Sequence, residues 1–172
     1  MVPLHLLGPI KFCLFLLAIL IPGLAVSACV RRGIYVPLIT ELVETFERPE
    51  EMELPGQGTL HFLTGVLVAT AIARQVQIVD VAIIVLAVGD GVSTIVGVPF
   101  GRTPLPHNPD KSLEGSLAGF VSAAALASIW TRDPAASVLA SLVGTAVETL
   151  PALNDNVTIP IAVSLFLLWW WS

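Results

Sequence analysis

VAIIVLAVGDGVSTIVGVPFGRTPLPHNPDKSLEG, residues 81–115, runs from an uninterrupted apolar stretch into a polar, glycine- and proline-rich one, and its turning point is Asp90. Nine apolar or small residues precede that carboxylate, a length and composition suited to a helix in hydrocarbon. An ionisable residue there is costly unless a cation or several donors compensate it, so Asp90 marks a functional position. Beyond it come Gly91, Gly97 and Gly101, which permit close backbone approach, and then Arg102, Lys111, Ser112 and Glu114. A carboxylate, glycines, basic side chains and a hydroxyl make up the set that binds metal-chelated phosphate. The expectation is a nucleotide loop over about 89–115, with Mg²⁺ on Asp90 and phosphate oxygens on Lys111 and Arg102.

Composition says where this loop sits. Of 172 residues 55% are hydrophobic and 12% charged, too few charges to cover a water-facing surface. Residues 12–30 carry no charge and are long enough to cross about 30 Å of hydrocarbon at 1.5 Å per residue. The sequence VSAC at 26–29 imitates a lipoprotein cleavage site, but the remainder of the chain would still be multi-span, so 12–30 is read as the first span. Five further apolar segments lie at about 60–73, 81–101, 113–131, 135–150 and 157–171. The fold class expected is all-α, a single integral membrane domain over 1–172 with about six transmembrane helices around a cytoplasmic-facing polar cavity. Short spans broken by Gly or Pro suit such a cavity.

Charge patterning refines the picture. Arg31, Arg32, Arg48, Arg102 and Lys111 fall on one side of six alternating spans and Lys11, Arg74 and Arg132 on the other, so the positive-inside rule puts the amino terminus outside and the loop in the cytoplasm. That topology also gathers three polar stretches on one face: 41–58, the loop after Asp90, and 148–156. Six of the thirteen acidic residues lie between Glu41 and Glu53, and with a net charge of −5 no basic footprint for nucleic acid exists. Residues 34–58 read as an amphipathic surface helix ending before Pro49, with Arg48 at the membrane re-entry as a candidate phosphate ligand. Cys13 and Cys29 have no CxxC or Cys/His spacing and are read as wall residues.

Each candidate has a plainer alternative. Glycines also pack membrane helices; Ser112 is a natural N-cap with Glu114 in the first turn behind it, although a helix N-terminus itself attracts phosphate. His107 in its proline-rich loop reads as a surface residue. Glu148 ends one apolar run, and Asp155 and Asn156 begin the next; a plain turn between helices competes there with a second carboxylate site for metal or nucleotide. The closing LLWWWS reads as an interfacial anchor.

Taken together, GDGVSTIVG, FGR, KSLEGSLAGF and DNVTIP, in this order and at helix ends, resemble the CTP-dependent lipid kinases, the family of dolichol kinase, phytol kinase and the CTP-dependent diacylglycerol kinase of yeast. FERPEEMELPGQGTLHFLTGVL also looks like that family's R-x-x-E segment before a Gly-containing span. The resemblance covers about 48–160 and implies transfer of the CTP γ-phosphoryl group to a lipid hydroxyl. It places Asp90, Lys111, Ser112, Glu114, Gly115, Asp155 and Asn156 at matching positions; Asp90 and Asp155 are the metal candidates and Asp90, Glu114 and Asp155 the catalytic ones, with the base for the lipid hydroxyl open among Glu114, Glu148 and Asp155. A polyprenol or dolichol-type acceptor is expected, with diacylglycerol or phytol as alternatives; a lipid-phosphate cytidylyltransferase or a small transporter or assembly subunit is the competing reading. The family's usual Lys after FG is Arg102 here, and the family's extra first span with an Arg-Lys-x-x-His motif has no match in this sequence, Arg31-Arg32 being the nearest basic pair with no His after it at that spacing, which leaves a full catalyst or a shortened relative open.

Overall fold

The computed structural model describes residues 2–37, 41, 56–151 and 154–172. Within them the chain forms α1 (Val2–Arg31), α2 (Gln57–Ala73), α3 (Val76–Ile84), a π-helical turn (Val85–Asp90), α4 (Gly91–Phe100), a hairpin of β1 (Pro104–Leu105) and β2 (Asn108–Ser112), α5 (Leu113–Thr131), α6 (Pro134–Glu148) and α7 (Asp155–Trp170). The β-branched run of α3 would suit a strand in water. It is helical here because a helix satisfies every backbone N–H and C=O within one segment.

α3, the π turn and α4 join into one rod, Val76–Phe100, and this rod is the centre of the bundle. Ile78, Val79, Val81, Ala82, Ile84, Val85 and Leu86 are buried within it. α5, α6 and α7 pack around the rod, and α2 lies against α7. Close approach depends on missing side chains: a Cβ on Gly144 would collide with Val85, one on Gly119 with the Gly89 carbonyl, and one on Gly65 with the Asn156 carbonyl. α1 is bent at Gly8, whose φ of 72° lies in the left-handed region ahead of Pro9.

Three segments, Leu4–Arg31, Val76–Phe100 and Leu113–Thr131, are long and apolar enough to cross a membrane; Gln57–Ala73, Pro134–Glu148 and Asp155–Trp170 are shorter apolar helices. Five of the six apolar runs match helical segments to within five residues, but α1 begins at Val2, ten residues before the expected start at Phe12, and two further corrections follow. Residues 91–100 are helix, so the loop begins at Gly101 rather than near Gly89: Gly91, Gly97 and Pro99 sit inside α4, where Pro99 occupies the last turn. The fold is also not wholly α, since β1 and β2 pair antiparallel across the turn at Pro106-His107. The amphipathic helix expected over 34–58 is not helical at 34–37, and most of it, Arg48 included, lies outside the described residues.

Candidate functional site

Four charged side chains from four elements meet at one end of the bundle. Lys111, on β2, directs its ammonium to Asp90 Oδ1 at 3.3 Å, Glu148 Oε1 at 3.0 Å and Asp155 Oδ2 at 3.2 Å. The hairpin delivers the lysine, the π turn ends on Asp90, α6 ends on Glu148, and α7 begins with Asp155. π turns recur at functional positions because they re-aim a side chain without ending the helix. Of the three polar stretches expected on one membrane face, the loop after Asp90 and the 148–156 stretch lie at the same end of the bundle, and most of 41–58 lies outside the described residues. α2 reaches the same end, where Asn154 Nδ2 lies 2.8 Å from His61 Nδ1.

Glu148 is the buried member, 2% exposed, against 30% for Asp90 and 22% for Asp155. Burial alone pulls the Lys111 ammonium down, but Glu148, Asp155 and Asp90 outweigh it and hold its pKa above the ordinary lysine value. With all four groups ionised, two negative charges remain uncompensated, an arrangement that favours a further cation. Asp155 Oδ1 is buried without a hydrogen-bond partner, which fits such a need. Among the described residues no group of three His, Cys, Asp or Glu side chains is already placed to hold a metal. The lysine stands between the carboxylates.

Beside this cluster lies a cavity of about 360 Å³ lined by Ser93, Thr94, Gly97, Arg102, Lys111 and Ser112 among others. Ser112 is the N-cap of α5, its Oγ accepting from the Gly115 N–H at 3.2 Å. The N-cap reading of this residue is met, and Ser112 also lines the cavity. Gly97 and Gly115 likewise serve packing: a Cβ on Gly115 would stand 2.6 Å from the Ser93 carbonyl oxygen and 2.9 Å from Gly97 Cα. Arg102 is exposed on the cavity rim, and among the described residues no carboxylate pairs with its guanidinium.

Glu114 is engaged elsewhere. Its carboxylate accepts the backbone N–H groups of Arg102 and Thr103, both at 3.2 Å, and the Thr103 hydroxyl at 2.8 Å. It clamps the chain leaving α4 rather than joining the Lys111 cluster. Asn156 sits in the first turn of α7, next to Asp155. His107 is exposed in the hairpin turn.

Two groupings were not read from the sequence. Ser93, one turn past Asp90, hydrogen-bonds Glu148 Oε1 and lies 3.0 Å from the Asp90 carbonyl oxygen; its signal is the i, i+3 spacing. At the opposite end, fully buried Asp80 meets His5 Nε2 at 2.6 Å and Trp130 Nε1 at 3.1 Å, tying α1 and α5 to α3. A lone Asp in an apolar run was the available clue.

The chain shows 27% identity to phytol kinase 1, chloroplastic, of Arabidopsis thaliana over 77% of its length and 50% of that protein's. Farnesol kinase, chloroplastic, of the same plant is 29% identical over 87% and 54%. The chain is a homologue of phytol and farnesol kinases. The resemblance to lipid kinases carried by the motifs around Asp90, Lys111 and Asp155 is thus borne out by whole-segment similarity. An uncharacterized protein of Methanocaldococcus jannaschii is similar as well, 26% identical over 76% of this chain and 66% of that one. The chain spans about half the length of the kinase relatives it matches. No family model and no solved structure matches it.

Proposed function

We propose that the chain is a membrane-embedded phosphotransferase that moves the γ-phosphoryl group of CTP to the hydroxyl of an isoprenoid alcohol. The observation that carries this reading is Lys111, held among three carboxylates beside a cavity that the α5 N-terminus also faces. Phosphoryl transfer asks the protein chiefly for positioning and charge neutralisation. Lys111, Arg102 and the first-turn N–H groups of α5 serve the phosphate oxygens. Asp90 and the unpaired oxygen of Asp155 would hold Mg²⁺, which supplies neutralisation of the triphosphate charge.

In the reaction the alcohol oxygen bonds to the γ-phosphorus, the bond from that phosphorus to the β–γ bridging oxygen breaks, and CDP leaves. The hydroxyl proton passes to a carboxylate of the cluster. Glu114, occupied by the 102–103 backbone, keeps the hairpin and hence Lys111 in place. All six helical segments are proposed to cross the bilayer with the site in the cytoplasm, so a water-borne nucleotide meets an alcohol resting at the membrane surface. Relatives named for phytol and farnesol support an isoprenoid acceptor; dolichol and diacylglycerol remain in the test panel.

The test is product identity. Purified chain incubated with CTP, Mg²⁺ and farnesol, phytol, a polyprenol or diacylglycerol should release CDP in step with lipid phosphate. Release of pyrophosphate instead would assign a cytidylyltransferase, and no nucleotide consumption with any acceptor would remove the enzymatic reading.

A further inference from the structure

We infer that Glu148 is the positioning residue of this site: its carboxylate fixes the Lys111 ammonium and the Ser93 hydroxyl, leaving Asp90 and Asp155 to face the ligand. This rests on the phosphotransferase reading above. Three carboxylates touch Lys111, but they differ in what else they can do. Asp90 and Asp155 keep 30% and 22% of their side chains accessible, whereas Glu148 keeps 2%. One oxygen of Glu148 takes both the Ser93 hydroxyl and the Lys111 ammonium, the latter at the shortest of the three lysine distances, 3.0 Å. Ser93 is itself 4% exposed and lies one turn past Asp90. Glu148 therefore links the end of α6 to the turn that carries Asp90 and to the strand that carries Lys111.

A carboxylate stripped of water persists as an anion only while donors compensate it. Among the described residues Lys111 is the one cation in contact with Glu148. The dependence runs the other way too. A lysine has a long stem with many rotamers, and an unfixed ammonium loses that freedom each time it engages phosphate. Pinning by a buried partner removes that cost beforehand. Glu148 does not touch the substrate in this role; it acts through Lys111.

The experiment uses the full chain purified in lipid nanodiscs, with Glu148→Gln, Glu148→Asp, Lys111→Met and the Glu148→Gln/Lys111→Met double variant. For each, CTP affinity, KM against kcat and Tm are measured. Glu148→Gln keeps the shape and an acceptor oxygen, so it should fold. It should raise the Kd and KM for CTP by about tenfold or more and change kcat at saturating CTP less. Glu148→Asp, with its charge retained on a shorter arm, should fall between that variant and the wild type. In the Lys111→Met background, adding Glu148→Gln should change CTP affinity less than about twofold and should raise Tm, because it discharges a carboxylate left without its cation. A Glu148→Gln effect that multiplies in full in the Lys111→Met background would overturn the positioning role while leaving the phosphate site standing. Wild-type CTP affinity in Lys111→Met would overturn the phosphate site itself, and the positioning role with it.

Discussion

An ammonium has three N–H donors, and Lys111 gives each of them to a different carboxylate. That saturation is what makes single substitutions informative here. Asp90→Asn removes one charge from a partly exposed position and keeps an acceptor, so the protein should fold with a Tm close to wild type while phosphoryl transfer falls by at least about 100-fold. Near-normal turnover in a folded Asp90→Asn preparation would remove Asp90 from the phosphate chemistry. Ser112→Ala should behave differently: loss of the cap on α5 lowers stability by about 1 kcal/mol with or without nucleotide, measurable by thermal or denaturant unfolding. Asp90, Lys111 and Asp155 were legible in the sequence because a charge inside or at the edge of an apolar run is expensive and stands out. Glu148 stood out less, since a carboxylate at a helix end looks the same whether water or a lysine receives it. Ser93 was illegible for a similar reason: a serine in a membrane helix has many ordinary uses.

At the scale of elements, the crossing of α4 and α5 depends on glycine. Gly115→Ala would push a Cβ to 2.6 Å from the Ser93 carbonyl oxygen, a backbone atom that cannot swing aside. Overpacking of this kind should cost about 1–3 kcal/mol and displace Ser93 and Lys111 together, so transfer activity should fall along with Tm. Of the glycines read as phosphate-binding, Gly97 and Gly115 are close-packed at this helix crossing, and Gly97 and Gly101 line the cavity. Residues 91–100 read two ways in the sequence, as the end of the 81–101 apolar segment and as the start of the loop, because Gly91, Gly97 and Pro99 look like loop punctuation; the structure bears out the helical reading, and the π turn before α4 leaves no mark on hydrophobic periodicity. The five-residue strand β2 escaped for want of alternation in NPDKS. At the other end of the bundle, Asp133 caps α6 through the Ala136 N–H at 3.1 Å and accepts from Trp171 Nε1 at 3.2 Å. The Ala136 N–H, then the Trp171 indole, hold its carboxyl below the ordinary aspartate value. A depressed pKa means stabilisation that is complete above the unfolded value of about 4 and is lost as pH falls through the folded one. The Tm gap between wild type and Asp133→Ala should therefore narrow between about pH 6 and about pH 3. A gap that stays constant or widens on acidification would contradict the charged cap.

For the whole molecule, the apolar runs made the helices legible, and the motif order made the kinase relationship legible before any fold was known. How many of the six segments cross the bilayer depends on their surroundings, because Gln57–Ala73, Pro134–Glu148 and Asp155–Trp170 are about 23–26 Å long at 1.5 Å per residue, close to the hydrocarbon thickness. Single cysteines at Thr103 and Asn154, introduced after replacing Cys13 and Cys29, should be labelled from the same side of the membrane and one at Asp133 from the other. Opposite-sided labelling of Thr103 and Asn154 would separate the elements that meet at Lys111. The most direct test tracks the phosphorus itself. Wild-type chain and Asp90→Asn, each reconstituted with an isoprenoid alcohol and supplied with CTP labelled at the γ-phosphate, should give labelled lipid phosphate with the first and almost none with the second. Label that never reaches the lipid, or reaches it equally with both proteins, would contradict a phosphotransferase site built on Asp90 and Lys111.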